Sequence, residues 1–462
     1  MALLDSLFRS PAIVASFTDA ARIQGMLDFE AALARAEAAS GIIPVTAGAT
    51  ITAKCREEFI DFAALQKSAA NAGNLAIPLV HQLTALVAKE DAEAAGFVHW
   101  GVTSQDAIDT GFVLQLRPAL AAMQRELRQL CERLAPLANQ HRTTAMVGRT
   151  WLQHAVPTTF GAKVAGWLDA LVRHLDRIEI LQEHALVLQF GGAVGTLAAL
   201  DDHGENVAAA LAKELSLPLP DIPWHSHRDR FAEVATCMGL LAGTLGKIAR
   251  DISLHTQTEI DELRETAAGG RGGSSSMPHK RNPVSCAVIL ANSARVPGLV
   301  STILSAMVQE DERGLGGWQA EWEPLPEVVG LAGGALHHLH AAIAGLEVNT
   351  ARMRENLEAT HGLIYAEAVT IRLAERIGIP QAREAIEAAC RQAAKEREHL
   401  RDVLLTTPAV LKHLPEDTIH ELFDANRYFG SSSGMIDKVL ATARSAVATG
   451  VSTADSTLRR KK

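Results

Sequence analysis

The chain has 462 residues, with 44 lysines and arginines against 53 aspartates and glutamates, for a formal net charge of −9. That balance argues against a nucleic-acid or anionic-membrane surface and requires a local basic pocket for any anionic substrate. Hydrophobic residues make up 48% but aromatics only 4%, so alanine and leucine fill the interior, and the composition points to an all-α chain of two or three domains.

The N-terminus, MALLDSLFRSP, lacks the basic region and apolar length of a signal peptide. No uninterrupted apolar run of about 18 residues suggests a membrane span. Cys55, Cys131, Cys237, Cys286 and Cys390 show no paired spacing and read as reduced thiols of a cytoplasmic protein. Residues 1–110 read as a small helical domain. Thr18 caps a helix whose apolar face includes Ile23, Met26, Leu27 and Leu33, and Gly41 ends it. The stretch HWGVTSQDAIDTG, residues 99–111, then gathers a histidine, hydroxyls, an amide and two aspartates before a long helix. Thr103 and Ser104 there serve either as helix caps, with Asp106 in the first turn, or as ligand contacts.

Residues 111–363 carry heptad seams. Leu116, Leu120, Met123, Leu127, Leu130, Leu134 and Leu137 are spaced by alternating fours and threes. Val164 to Ile178 and Val234 to His255 repeat the pattern, as long helices packed nearly parallel or antiparallel do. Nothing between Phe231 and Leu263 obviously breaks the third helix, whose length suggests seams buried against other subunits. Between the helices lie GRTWLQHAVPTTFG (148–161), GGAVGTL (191–197) and PWHSHRDR (223–230). A kink is expected at Pro297. Arg313, Trp318, Glu321 and Trp322 cluster further on, and a last helical domain spans 364–462.

Several clusters invite chemistry. His337, His338 and His340 lack a carboxylate or cysteine at ligand spacing, so they read as helix-surface histidines and no metal is expected. His225, His227, Arg228 and Arg230 form either a loop salt-bridge cluster or a substrate contact. His361 reads as a packing residue. No cysteine has the partners of a nucleophile.

The most distinctive stretch is GGRGGSSSMPHKRNP, residues 269–283. Its glycines and serines read as a mobile loop, and the stiffer second half adds Lys280, Arg281 and Asn282. GSSSMPHKRNP fills every fixed position of the G-S-S-x-M-P-x-K-x-N-P signature and so resembles the fumarase/aspartase superfamily. The resemblance implies a three-part all-α fold with a central long-helix bundle, assembled as a homotetramer whose active sites draw on three subunits. It implies removal of a proton from carbon next to a carboxylate, with Ser274 as the carbon acid/base and no cofactor. Lys280, Asn282, Thr103, Ser104, Gln105 and Arg313 are then the expected substrate-binding groups.

Two departures narrow the resemblance. Most of the superfamily has histidine where this chain has Trp151, paired with a glutamate where it has Ala287. Tryptophan cannot transfer that proton. TWLQHA, AGNLAIPLV and GGWQAEW are similar to the bacterial 3-carboxy-cis,cis-muconate cycloisomerases. That branch implies lactonisation of a small tricarboxylate in protocatechuate breakdown, in which the leaving group of the reverse reaction is a carboxylate needing no general acid. Trp151, Gln153 and Trp318 are then expected around the diene. A substituted muconate, an adenylosuccinate- or argininosuccinate-type elimination, and a purely structural role are the alternatives.

Overall fold

The computed structural model describes residues 3–266, 272–273, 276–277 and 279–459. Helices dominate, and two small antiparallel sheets of two strands each occur among the described residues. The chain forms two compact units. The first comprises Met1–Glu126, His174–Gly246 and Val288–Leu339, and the second Leu127–Arg173, Lys247–Ala287 and His340–Lys462. Each is discontinuous in sequence, unlike the three consecutive segments expected from chain order.

In the first unit the helix Asp19–Ala39 begins where the Thr18 hydroxyl accepts the Ala21 N–H at 3.1 Å. Ile23, Met26, Leu27 and Leu33 are buried on it, and Gly41, at φ 76°, lets the chain turn back. This helix meets the long helix Ser104–Gln140 at two glycines. A Cβ built on Gly25 would lie 2.6 Å from the Gly111 carbonyl oxygen, so only a bare backbone fits. That contact seats the 99–111 stretch against the N-terminal core.

The heptad residues Leu116, Leu120, Met123, Leu127, Leu130 and Leu134 are all completely buried, as are Val164, Leu168, Leu171, Val234, Met238, Leu241, Leu245 and Ile252. Each such side chain contributes about 1.5–3 kcal/mol. The seams therefore close within a single chain, which corrects the expectation that they wait for other subunits. The third long helix is also shorter than expected: it spans Asp229–His255. Its last turn is capped from its own sequence, with Thr256 and Gln257 side chains donating to the carbonyls of Ser253 and Leu254, and Asp261 then adopts φ 49°. The helix Val284–Ala306 runs through Pro297. This helix and Asp229–His255 are long and apolar enough to cross a membrane by composition, contrary to the sequence reading; 61% of the apolar stretch of Asp229–His255 is buried in the protein, but only 28% of that of Val284–Ala306.

In the second unit a cluster from Val369 to Ile419 packs the helices Ala366–Ile377 and Ile379–Glu396. His361 is exposed, and it acts through its main chain, at φ 49° with its carbonyl accepting the Leu400 N–H. In the first unit His338 is buried rather than on the surface, its Nε2 2.8 Å from the Leu7 carbonyl.

Glu37, on Asp19–Ala39, is fully buried and neither carboxyl oxygen has a hydrogen-bond partner among the described residues. Burial, and then the nearby Glu30, push it up to about 9. The folded state thus keeps a proton that the unfolded chain releases near the usual carboxylate range. The stability contributed by this group is greatest below that range and falls as pH rises toward 9. Glu37→Gln is expected to raise the melting temperature, with a larger gain at pH 8 than at pH 5. Equal gains at both pH values would contradict the assignment.

Candidate active site

In the first unit, Asp106 stands in the first turn of Ser104–Gln140 and is fully buried. Its Oδ2 accepts N–H groups from Thr103 at 3.1 Å and Gly192 at 2.9 Å. Its Oδ1 accepts the Gly191 N–H at 3.0 Å and lies 2.7 Å from His225 Nε2. One carboxylate thereby joins the three separate stretches 99–111, 191–197 and 223–230. A buried charge needs such partners. Gly192, at φ 70°, takes a backbone conformation that L side chains rarely adopt, and a Cβ there would sit a tight 3.0 Å from the Gly101 carbonyl oxygen. Arg313 reaches the same turn, donating to the Thr103 hydroxyl at 2.8 Å and the Ala193 carbonyl at 3.0 Å. Thr103, Ser104 and Arg313 are half-buried.

Beneath this turn lies a second ionic layer. Arg228 donates to Asp109 at 2.6 and 3.1 Å and to Glu321 at 2.7 and 3.1 Å, with its guanidinium against the rings of Trp224 and Phe231. Burial alone would lower its pKa, but the two carboxylates reverse that and hold it charged. Glu321 is pushed up to about 7, first by burial; Arg228 opposes the rise and Asp109 adds to it. Two carboxylates share one cation, so one of them is easily protonated. The cluster of histidines and arginines at 223–230 is in this part an internal ion network rather than a solvent-facing surface.

This layer relocates two expected pocket residues. Gln105 is completely buried, and its amide donates to Asp109 at 3.1 Å and to the His225 carbonyl at 2.8 Å. Trp318 is buried too, its indole N–H 3.2 Å from Asp109. Both support the turn from behind instead of facing solvent. His99 opens the 99–111 stretch. It takes φ 60°, costly for a residue with a Cβ, and its Nδ1 is 2.6 Å from the buried Glu30. Burial opposes its charge, but Glu30, and then Asp106, outweigh it and raise its pKa.

In the second unit the strands Ala145–Thr150 and Gln153–Thr159 form a hairpin with Thr150 opposite Gln153. Its two-residue tip is Trp151 at φ 53° and Leu152 at φ 64°. Such turns favour Asn-Gly because both residues are left-handed, so a Trp-Leu pair stores strain. Trp151 is 96% and Leu152 78% exposed. Gln153 is exposed beside them. The stem is fixed by Arg149, which donates to both oxygens of the fully buried Glu262 at 2.9 and 2.8 Å. Asn356 donates to Glu262 at 2.8 Å, and His255 Nδ1 lies 2.6 Å away. Burial would raise Glu262, but hydrogen bonds from His255, Arg149 and Asn356 prevail and hold it at about 2. Lys280 is exposed and Asn282 half-buried at the end of the signature stretch. Ser274 lies outside the described residues.

Residues 8–298 match the family model described as a lyase, and residues 362–439 match that of the adenylosuccinate lyase C-terminus. The chain belongs to this lyase family, within the fumarase/aspartase superfamily. It is 54% identical over 439 residues to 3-carboxy-cis,cis-muconate cycloisomerase of Pseudomonas aeruginosa, covering 95% of this chain and 96% of that one. Against the enzyme of the same name from Bradyrhizobium diazoefficiens the identity is 52% over 438 residues, covering 95% and 97%. The crystal structure of 3-carboxy-cis,cis-muconate lactonizing enzyme from Pseudomonas putida superposes with a TM-score of 0.91 at 48% identity, covering 96% of this chain and 99% of that one.

Two outcomes test this geometry. Asp106→Ala leaves two buried amides and the half-buried Thr103 amide without their acceptor and is expected to lower unfolding free energy by on the order of 3 kcal/mol in denaturant titrations; a loss below about 1 kcal/mol would remove Asp106 from its central place. Glu262 has a depressed pKa, so its contribution is present above the usual carboxylate range and is lost as pH falls toward 2. It amounts to on the order of 3 kcal/mol. Glu262→Gln is expected to be less stable at pH 7 and to show a flatter acid limb; an unchanged limb would contradict the assignment.

Proposed function

We propose that this protein is a cofactor-independent cycloisomerase that converts 3-carboxy-cis,cis-muconate to 4-carboxymuconolactone. The observation that carries the reading is Trp151. It stands bare at a strained, rigidly anchored hairpin tip where related lyases place a proton-transferring histidine, and Ala287 replaces that histidine's glutamate. A site without this pair suits a reaction whose oxygen nucleophile is already an anion.

The chemistry balances without a further reagent. A substrate carboxylate oxygen adds to one carbon of a C=C bond, forming C–O as the π bond breaks. The electron pair moves to the neighbouring carbon and into its attached carboxylate. That carbon then takes a proton from Ser274, whose pKa closure around the substrate must lower. Lys280, Asn282, Thr103, Ser104 and Arg313 hold the carboxylates and the developing charge.

The protein acts as a homotetramer with active sites shared between subunits, in the cytoplasm. An apolar groove lined by Gly239, Leu240, Pro297, Val300 and Leu304 supports self-association, with Leu240 56% and Leu304 45% exposed. A side chain as large and as exposed as Trp151 gains most by burial in another copy. Five unpaired thiols favour a reducing compartment.

The test mixes the protein with 3-carboxy-cis,cis-muconate and follows loss of diene absorbance. Rapid loss is expected, reduced by at least 10³-fold in Ser274→Ala on the scale of removing an acid/base group. No loss, with turnover of adenylosuccinate or argininosuccinate instead, would overturn the reading. Trp151→Ala is expected to raise KM at least about tenfold, the scale of a buried aromatic contact; unchanged kinetics would remove Trp151 from the pocket.

A further inference from the structure

The short segment Glu262-Leu263-Arg264-Glu265 carries two buried carboxylates that the proposed chemistry does not use. Leu263–Glu265 pairs as a strand with Leu346–Val348, burying Leu263 and Glu265 and exposing Arg264. Glu262 fixes the Trp151 hairpin through Arg149, as described above. Glu265 does something different. Its Oε2 accepts the Ser285 N–H at 3.1 Å and its Oε1 the Cys286 N–H at 3.0 Å.

Those amides open the 23-residue helix Val284–Ala306. Helix N-terminal amides lack partners within the helix and favour a negative charge. A cap normally comes from the residue just before the helix. Here it comes from 20 residues upstream. The bond therefore brings together Glu265 and Ser285, which flank the signature stretch. Further along, the Asn282 N–H donates to the Gly272 carbonyl at 2.9 Å, and Gly273 pairs with Arg281. Gly272 has φ 74°, and a Cβ there would lie 2.5 Å from the Asn282 carbonyl oxygen. Arg281 in turn donates to Glu347, on the strand that pairs with Leu263–Glu265, at 3.0 Å. Lys280 and Asn282 are thus tied to Glu265 through the helix start on one side and through the Arg281–Glu347 pair on the other.

We propose that Glu265 is a positioning residue that sets the placement of Lys280 and Asn282 for binding a substrate carboxylate. With Glu262, it makes one four-residue segment the common anchor of the Trp151 hairpin and the carboxylate-binding stretch. This rests on reading Lys280 and Asn282 as carboxylate-binding groups.

The test uses the full-length protein and the variants Glu265→Gln, Asn282→Ala and their combination. Melting temperature, kcat and KM with 3-carboxy-cis,cis-muconate, and the Kd of propane-1,2,3-tricarboxylate by calorimetry are measured for each. Glu265→Gln keeps one oxygen acceptor and the side-chain size, so the fold is retained. It is expected to raise KM and Kd at least tenfold, and adding it to Asn282→Ala is expected to worsen Kd by less than threefold, because both act on one contact. Asp61→Ala, which removes the cap of another helix, is expected to lower the melting temperature without changing Kd. Independent, multiplicative effects of Glu265→Gln and Asn282→Ala, or a Kd unchanged by Glu265→Gln, would overturn the proposal and leave Glu265 a simple cap. Absence of muconate turnover in the wild type would overturn the proposed reaction alone, since the calorimetry still reads Glu265. Absence of tricarboxylate binding by the wild type would overturn both.

Discussion

Three amides and an imidazole converge on the carboxylate of Asp106, and much of the first unit follows from that arrangement. A charge removed from water must be met by hydrogen bonds, and the partners here come from three separate stretches of the chain. Thr103 is held by its own backbone N–H, and Gly191 and Gly192 are drawn beside it. Arg313 then bridges the Thr103 hydroxyl and the Ala193 carbonyl. Beneath them, Asp109, Arg228 and Glu321 form a support that is also charged and also buried. Such networks are weak sources of net stability but strong constraints on geometry, because half-satisfied versions are costly. In an acidic chain that is proposed to bind an anion, the acidic side chains closest to the site are neutralised by backbone dipoles and guanidinium groups rather than left to repel the ligand.

The second unit uses the same device with different partners. Glu262 and Glu265 are three residues apart, yet one holds a hairpin and the other a helix start. The hairpin needs firm support because its tip is unfavourable on its own. Trp151 and Leu152 occupy left-handed backbone that glycine and asparagine prefer, and both are exposed. Strain of this kind persists where surrounding contacts over-determine it. The bidentate Arg149–Glu262 pair is such a contact.

Local signals were legible in the sequence. Thr18 caps its helix, Gly41 turns it, and the heptads mark side chains that are indeed buried, because periodicity and capping depend on neighbours within a few residues. The GSSSMPHKRNP run pointed to the superfamily that the family model and full-length relatives also show. Long-range pairings were not legible. Asp106 and His225 are 119 residues apart, and nothing in either stretch names the other. For the same reason Gln105 and Trp318 read as pocket residues, although Asp109 draws both into the interior. The third long helix ended early because Thr256 and Gln257 cap it with ordinary side chains, a weaker stop signal than glycine or proline. Nothing local marks Glu30 or Glu262, since their burial arises only when distant elements close over them.

In the proposed reaction a substrate carboxylate adds across a double bond while the enzyme delivers one proton to the adjacent carbon. The most direct measurement is to run the reaction with 3-carboxy-cis,cis-muconate in deuterium oxide and read the product by proton and carbon NMR. The expected product is 4-carboxymuconolactone carrying a single deuterium on the carbon beside the newly formed C–O bond. Recovered substrate, or a product formed by elimination of a group rather than by ring closure, would contradict it.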